Sequence, residues 1–259
     1  MEVCNVVSSY HRTLEGDGNK VIKKISKSGV DNFYILFDNQ KNLEEKFVKE
    51  KYESNVCLYN DEDFETYQFN KPIKKEHRWG SHQNPKYFYA HFRMLVFFIK
   101  NPDYDHYWFF DDDIDFEGDL KGFLDAYKTQ DEDFLAIQAF KKENYSEFPK
   151  VSIASNRMKG SHGNWLDLCP GPGDSFKSKE KHLGSFFPIV RFSNNAMKHL
   201  MKLHLLGFYG YSEGFVPTSL ASEGFKVASM MDENNNFFLE NKTDCKLYHK
   251  GIEFTWEWL

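Results

Sequence analysis

Cysteine is scarce in this sequence and never paired: Cys4, Cys57, Cys169 and Cys245 are scattered over 259 residues with no CxxC. That spacing excludes a zinc finger or ribbon and gives little basis for a disulfide framework, so a reducing compartment is expected. Long apolar runs are also missing; none approaches the roughly 20 residues that a membrane-spanning helix needs. The first ten residues are short and polar, which argues against a signal peptide. The expectation is a cytoplasmic protein, with room for peripheral association with a membrane. Basic charge is in deficit. A net charge of −6 excludes a nucleic-acid binder that relies on a broad basic surface. No internal repeat and no low-complexity tract is present.

What is present is aromatic and acidic, and it is concentrated in one place. Tyr107-Trp108-Phe109-Phe110-Asp111-Asp112-Asp113-Ile114-Asp115 is an apolar run that ends in a knot of carboxylates. Four large apolar residues in a row suit a strand buried on both faces, as in a parallel sheet covered by helices. Carboxylates crowded at the end of such a strand are costly unless something positive neutralises them. In open α/β sheets the carboxyl ends of the strands are where ligands bind. A hard divalent cation shared with substrate phosphates satisfies both facts, and an anionic donor approaching an acidic protein needs a cation between them.

The surrounding sequence supplies the sheet. Residues 3–9, 33–37 and 55–59 read as strands, with helices at 20–28 and 43–51 between them and Gly29 at the end of the first helix. Strand-helix-strand-helix-strand is the order of a doubly wound half. A basic loop at 71–78 follows, then an aromatic-rich helix at 86–100 that Asn101-Pro102-Asp103 breaks. Beyond the acidic strand, 120–129 and 195–206 read as helices, 134–140 and 186–192 as strands, and 214–224 as a further helix. Residues 152–182 form a long Gly- and Pro-bearing loop, and a loop of that length is usually functional or disordered. Its Trp165 and His162 suit a lid over a sugar ring.

Three constellations carry chemistry. Asp111-Asp112-Asp113 has Asp-x-Asp spacing, and a bend at the strand end lets both carboxylates reach one ion or its water. The run Asp113-x-Asp115-x-Glu117-Gly118 opens like a calcium loop, but its twelfth position is Leu124 where a bidentate Glu belongs, and a strand precedes it; an EF-hand is excluded. Glu213, between glycines and aromatics at a helix start, has the setting of a desolvated general base, or of simple charge complementarity with the helix dipole. His249-Lys250 pairs a metal-capable imidazole with a phosphate-capable ammonium.

In this order the three motifs resemble the GT-A family of nucleotide-sugar-dependent glycosyltransferases. Asp111-Asp112-Asp113 looks like that family's Asp-x-Asp motif and Gly184-Ser185-Phe186 like its glycine-led loop. Tyr211-Ser212-Glu213-Gly214 looks like its acidic motif, with Gly214 where the last Asp belongs, and His249 like its C-terminal metal-binding histidine. The resemblance implies one α/β domain with a mostly parallel, Rossmann-like central sheet flanked by helices and carrying a loop-rich insertion. Residues 1–120 would be the nucleotide-binding half and 121–259 the acceptor-binding half. It also implies a Mn²⁺ or Mg²⁺ held by Asp113, His249 and Asp111, and a UDP- or GDP-sugar donor contacted by Ser8, Tyr10, Asp38, Arg93, Asp111, Asp112 and Lys250. A glycan acceptor would lie near Trp165 and Gly184, and, if the enzyme inverts, Glu213 would take the proton of its hydroxyl. The expected role is in polysaccharide biosynthesis. A nucleotidyltransferase of related fold is the nearest rival, although Tyr10-His11-Arg12-Thr13 after the first strand lacks the glycine-rich phosphate loop of that class. A catalytically inactive glycan-binding protein is the rival from a different class.

Overall fold

The computed structural model describes residues 2–10, 18–69, 90–141, 183–208, 210, 212–230, 245–249 and 252–253. The chain begins with strand β1 (Val3–Tyr10), helix α1 (Gly18–Ser26), β2 (Phe33–Asp38), α2 (Glu45–Tyr52), β3 (Asn55–Tyr59) and α3 (Asp61–Thr66). These three strands are parallel, in the order β3-β2-β1. Each helical crossover is amphipathic. Val21, Ile22 and Ile25 of α1, and Val48 and Tyr52 of α2, are buried on one helical face at i, i+4 spacing. Gly29 has φ +72°, a left-handed conformation that glycine adopts without a Cβ penalty, and it turns the chain from α1 towards β2.

Helix α4 (Ala90–Lys100) then delivers β4 (His106–Phe110), which pairs with β1 in parallel. All five residues of β4 are buried. The alternation of a strand splits them: Trp108 and Phe110 face one core, Tyr107 and Phe109 the other. The first core joins α1, α2 and α5 (Leu120–Ala126); the second joins α3, α4, α6 (Asn194–Leu205) and α7 (Ser212–Ser222). Helices thus cover both faces, and the near-continuous apolar run of β4 follows from that.

On the far side of β4 lies β7 (Leu183–Ser193), antiparallel to it, followed by β6 (Phe134–Lys141) and β8 (Val227–Ser229). The sheet order is β3-β2-β1-β4-β7-β6-β8, and β7 alone of the seven runs against the others. This is the Rossmann-like, mostly parallel α/β architecture expected from the sequence. A second, three-stranded sheet joins β5 (Ile114–Glu117), β9 (Lys246–His249) and β10 (Ile252–Glu253). The sequence did not point to those short strands, nor to α3, whose Asn60 and Asp63 form a reciprocal capping box.

Arg191 of β7 sits 1% exposed among these apolar side chains. Its guanidinium donates to the carbonyls of Tyr127, Gln130 and Glu132 at 2.5, 3.0 and 3.0 Å, and lies over the Trp108 ring. Burial lowers its pKa to about 10, so it stays charged at neutral pH. It gathers the turn between α5 and β6 against the central strands. An Arg191→Leu variant leaves three inward-facing carbonyls without that donor and should lose about 3–5 kcal/mol of stability. Denaturant unfolding measures this, and a loss below about 1 kcal/mol would show that the turn repacks without it.

Candidate active site

The acidic knot stands at the carboxyl edge of the sheet. The last rung is a bond from the Asp111 amide to the Pro188 carbonyl (2.9 Å), and the Ile114 amide then bonds back to the Asp111 carbonyl (3.2 Å). Asp111 to Ile114 is therefore a tight turn, in which the chain leaves β4 and enters β5. It displays Asp111, Asp112 and Asp113 together, each partly exposed. The register carries the neighbouring strands to the same edge. Val7 lies opposite Phe110, so Ser8 is level with Asp111 and Tyr10 lies two residues beyond, opposite Asp38.

The C-terminal histidine arrives by strand pairing. In the antiparallel β5–β9 ladder, the backbone of His249 lies opposite Ile114, one residue past Asp113. Two segments more than a hundred residues apart are thus brought to one end of one turn. The His249 side chain lies outside the described residues, as do Lys250, Trp165, the side chains of Ser8 and Tyr10, and the loops 71–78 and 152–182. Among the described residues, no three His, Cys, Asp or Glu side chains gather into a metal-binding group.

Asp111 has a cationic partner in Arg93 of α4, with which it forms a charge-assisted hydrogen bond. Parity explains this. Asp111 follows Tyr107 and Phe109 on the face that α4 covers, so the guanidinium meets it directly. The sequence suggested Arg93 as a phosphate contact; in the structure its guanidinium engages Asp111. Asp38 closes β2 at 1% exposure and accepts a hydrogen bond from the Gln40 side chain at 3.0 Å.

Glu213 lies in the first turn of α7 at 8% exposure. Its backbone carbonyl accepts a hydrogen bond from the Ser185 hydroxyl at 3.2 Å. Ser185 and Gly184 belong to the part of β7 that runs on beyond Phe110, since Ile189 is the residue opposite Phe110. Glu213 therefore shares the sheet edge with the acidic turn. Beside it, the Ser212 oxygen is 2.8 Å from His91 Nδ1 and accepts from the His91 amide at 3.2 Å. Neither His91 nor Ser212 stood out as a site residue in the sequence. The available signal was a His and an Arg two residues apart in an otherwise apolar helix.

A cleft of about 400 Å³ opens at the opposite, amino end of the strands, beside Asn5, Asn32 and Lys121. Its two lysines are already engaged, Lys121 and Lys128 both on Asp125 and Lys121 also 3.5 Å from Asp31. Ligands of open α/β sheets bind at the other end, and that is where the candidate residues lie.

No protein-family model matches the chain, and no curated protein matches it. Solved structures do. The chain is similar to the apo structure of the bifunctional glycosyltransferase WbbM, with 17% identity and a TM-score of 0.46, over 88% of this chain and 38% of that one. It is similar to mouse xyloside xylosyltransferase 1 in its apo form, with 9% identity and a TM-score of 0.44, over 88% of this chain and 85% of that one. It is also similar to the mannosyltransferase Ktr4p of S. cerevisiae, with 13% identity and a TM-score of 0.41, over 95% and 70%. These three are glycosyltransferases. The chain spans well under half the length of WbbM. No helix among the described residues is long and apolar enough to cross a membrane.

The buried histidine beside Glu213 has a measurable consequence. Burial, and secondarily the nearby His204, push the His91 imidazole down to about 3, and burial lowers His204 in the same direction. Below pH 6.5 the unfolded chain binds protons at these rings that the folded chain refuses. Stability therefore falls as the pH drops from 6.5 towards 3, by up to about 1.4 kcal/mol per unit from His91 alone. Thermal melting between pH 7.5 and 4.5 should show a decline of roughly 3–6 °C per unit below pH 6.5. A melting temperature that stays level down to pH 5 would mean that the ring is open to water.

Proposed function

We propose that this chain is a metal-dependent glycosyltransferase of the GT-A type, moving a sugar from a UDP- or GDP-sugar to a hydroxyl of a glycan acceptor. The observation that carries the reading is the β5–β9 register, which sets the backbone of His249 beside the Asp111–Asp113 turn at the carboxyl edge of the sheet. Hard oxygens and one imidazole suit Mn²⁺ or Mg²⁺. In this reading Asp113 and His249 hold the cation, and Asp111 supports it or meets the donor ribose. When bound, the cation neutralises the diphosphate and stabilises it as a leaving group.

The remaining roles combine position in the fold with the family resemblance. Tyr10, Ser8 and Asp38 stand where the nucleoside of the donor would lie, and Asp38 is held for it by Gln40. Asp112 would meet the phosphates, with Lys250 beside it as the family resemblance implies, while Arg93 engages the Asp111 carboxylate. Gly184, next to the Ser185 that bonds the Glu213 carbonyl, would belong to the acceptor side, and the family resemblance adds Trp165 to it. Glu213, withdrawn from water at the start of α7, would accept the proton of the attacking hydroxyl. The buried thiols Cys4 and Cys57 are not joined in a disulfide, which supports a cytoplasmic setting.

The deciding experiment is calorimetric titration of UDP, GDP, CMP and ADP in Mn²⁺ and in EDTA, on wild type and Asp113→Asn, followed by product analysis. One nucleotide should bind only with metal, and the variant should lose it. Turnover in Asp113→Asn and His249→Ala should fall by about 10²–10³ or more. Near-normal turnover in both variants would sink the metal assignment. Release of pyrophosphate in place of a nucleoside diphosphate would convert the reading to nucleotidyl transfer.

A further inference from the structure

The first turn of α4 reaches two parts of the candidate site at once. Arg93 extends to Asp111 at the end of β4. Two residues earlier, His91 extends to Ser212 at the start of α7. A single rigid helical turn therefore spans the acidic turn on one side and the segment that presents Glu213 on the other.

The chemistry of the His91–Ser212 contact is directional. The Ser212 oxygen accepts the His91 amide at 3.2 Å, which satisfies one of the helix-start N–H groups that have no partner within α4. The same oxygen lies 2.8 Å from Nδ1, and the proton between them belongs to the serine in the Nε2–H tautomer and to the imidazole in the Nδ1–H tautomer. The ring cannot swing away. It is 1% exposed and packed between Phe92 and Phe215, whose centroids lie 4.6 and 5.4 Å from it. Phe215 is itself in α7, two residues beyond Glu213, so the ring grips that helix by contact as well as by hydrogen bond. From the other side the Ser185 hydroxyl holds the Glu213 carbonyl. The backbone that carries Glu213 is thus tethered to α4 and to β7 simultaneously.

We propose that His91 is a positioning residue for Glu213, locking the start of α7 to α4 so that the Glu213 carboxylate is held in fixed relation to the Asp111–Asp113 turn. This rests on the glycosyl-transfer reading above, in which Glu213 receives the acceptor proton. A general base must lie within hydrogen-bond reach of the proton it takes, and a misplacement of about 1 Å can cost about 10²-fold in rate. His91 touches neither donor nor cation in this scheme, so its effect belongs to turnover and not to donor binding.

The test compares His91→Phe, which keeps a ring and removes the hydrogen-bonding nitrogen, with His91→Asn, whose side-chain amide can again pair with the Ser212 hydroxyl. Ser212→Ala, a smaller change, supplies the same readout if His91→Phe does not fold. In the full chain, His91→Phe and Ser212→Ala should lower kcat at least tenfold while donor KM and metal-dependent nucleotide binding stay within twofold of wild type. His91→Asn should recover most of the loss, and the His91→Phe/Ser212→Ala double variant should be no worse than either alone. If wild type turns over and His91→Phe retains kcat within twofold, the positioning role is wrong. It is equally wrong if kcat, nucleotide binding and melting temperature fall together and Asn does not rescue, because that is a purely structural residue. A wild type silent with every nucleotide-sugar overturns the glycosyl-transfer reading itself, and the assignment of His91 with it.

Discussion

The structure turns on the complete burial of β4. A strand with parallel β1 on one side, antiparallel β7 on the other and helices over both faces has no solvent-exposed surface along its length. Polar chemistry can begin only where the strand stops. The stop is abrupt: after Phe110 the chain gives its last rung to Pro188 and turns within four residues into β5. Three consecutive carboxylates are affordable there because the turn is partly exposed and because Arg93 already faces one of them. Burial that makes the strand immovable also makes its end a fixed platform.

The antiparallel β7 extends this logic to the second half of the chain. Were it parallel to β4, its segment beyond the Ile189–Phe110 pair would lie at the other end of the sheet. Running the opposite way, it carries Gly184 and Ser185 past the end of β4 and onto the same edge as the acidic turn. Ser185 then meets the start of α7, and Thr218 one turn or so later bonds the Leu183 backbone in both directions at 3.0 Å. Helix α7 is consequently fastened to the strand extension and not to a loop. Its Pro217 and near-complete burial fit a helix fixed by its surroundings, since all of Ser212 to Leu220 is buried.

Much of the sheet was legible in the sequence because its signals are local. The strand at 55–59 coincides with β3, and the helix–strand alternation of residues 3–59 is the one observed. Apolar runs of five residues between polar turns leave few alternatives. The elements that escaped, β5, β9 and β10, span two to four residues and owe their existence to pairing across more than a hundred residues. No local pattern distinguishes Ile114-Asp115-Phe116-Glu117 from a loop until Lys246–His249 lies beside it. Helix α3 is a different case. Its capping box, Asn60 with Asp63, is a local signal that was present, though six residues make a weak periodicity.

The candidate site divides along the same line. Asp111, Asp113 and Glu213 announce themselves by residue type and by position after a strand or before a helix. Arg93, legible as a phosphate contact but not as the partner of Asp111, and His91, which was not legible at all, differ because their meaning lies in what they face. A buried His beside Phe92 reads as core filling, and an Arg in an aromatic helix reads as a surface edge. Only the parity of β4, which turns Asp111 toward α4, and the closure of α7 onto the same helix assign them partners. One consequence separates structural from chemical constraint within α4. Its later turns, Leu95 to Phe98, tolerate any apolar set of matching volume. Its first turn is held by two directional polar contacts, to an oxygen of Ser212 and to a carboxylate of Asp111, and neither survives a change that only conserves shape. Sequence change permitted along the helix should therefore stop at His91, which is buried in the core, and at Arg93, whose side chain stays 13% exposed.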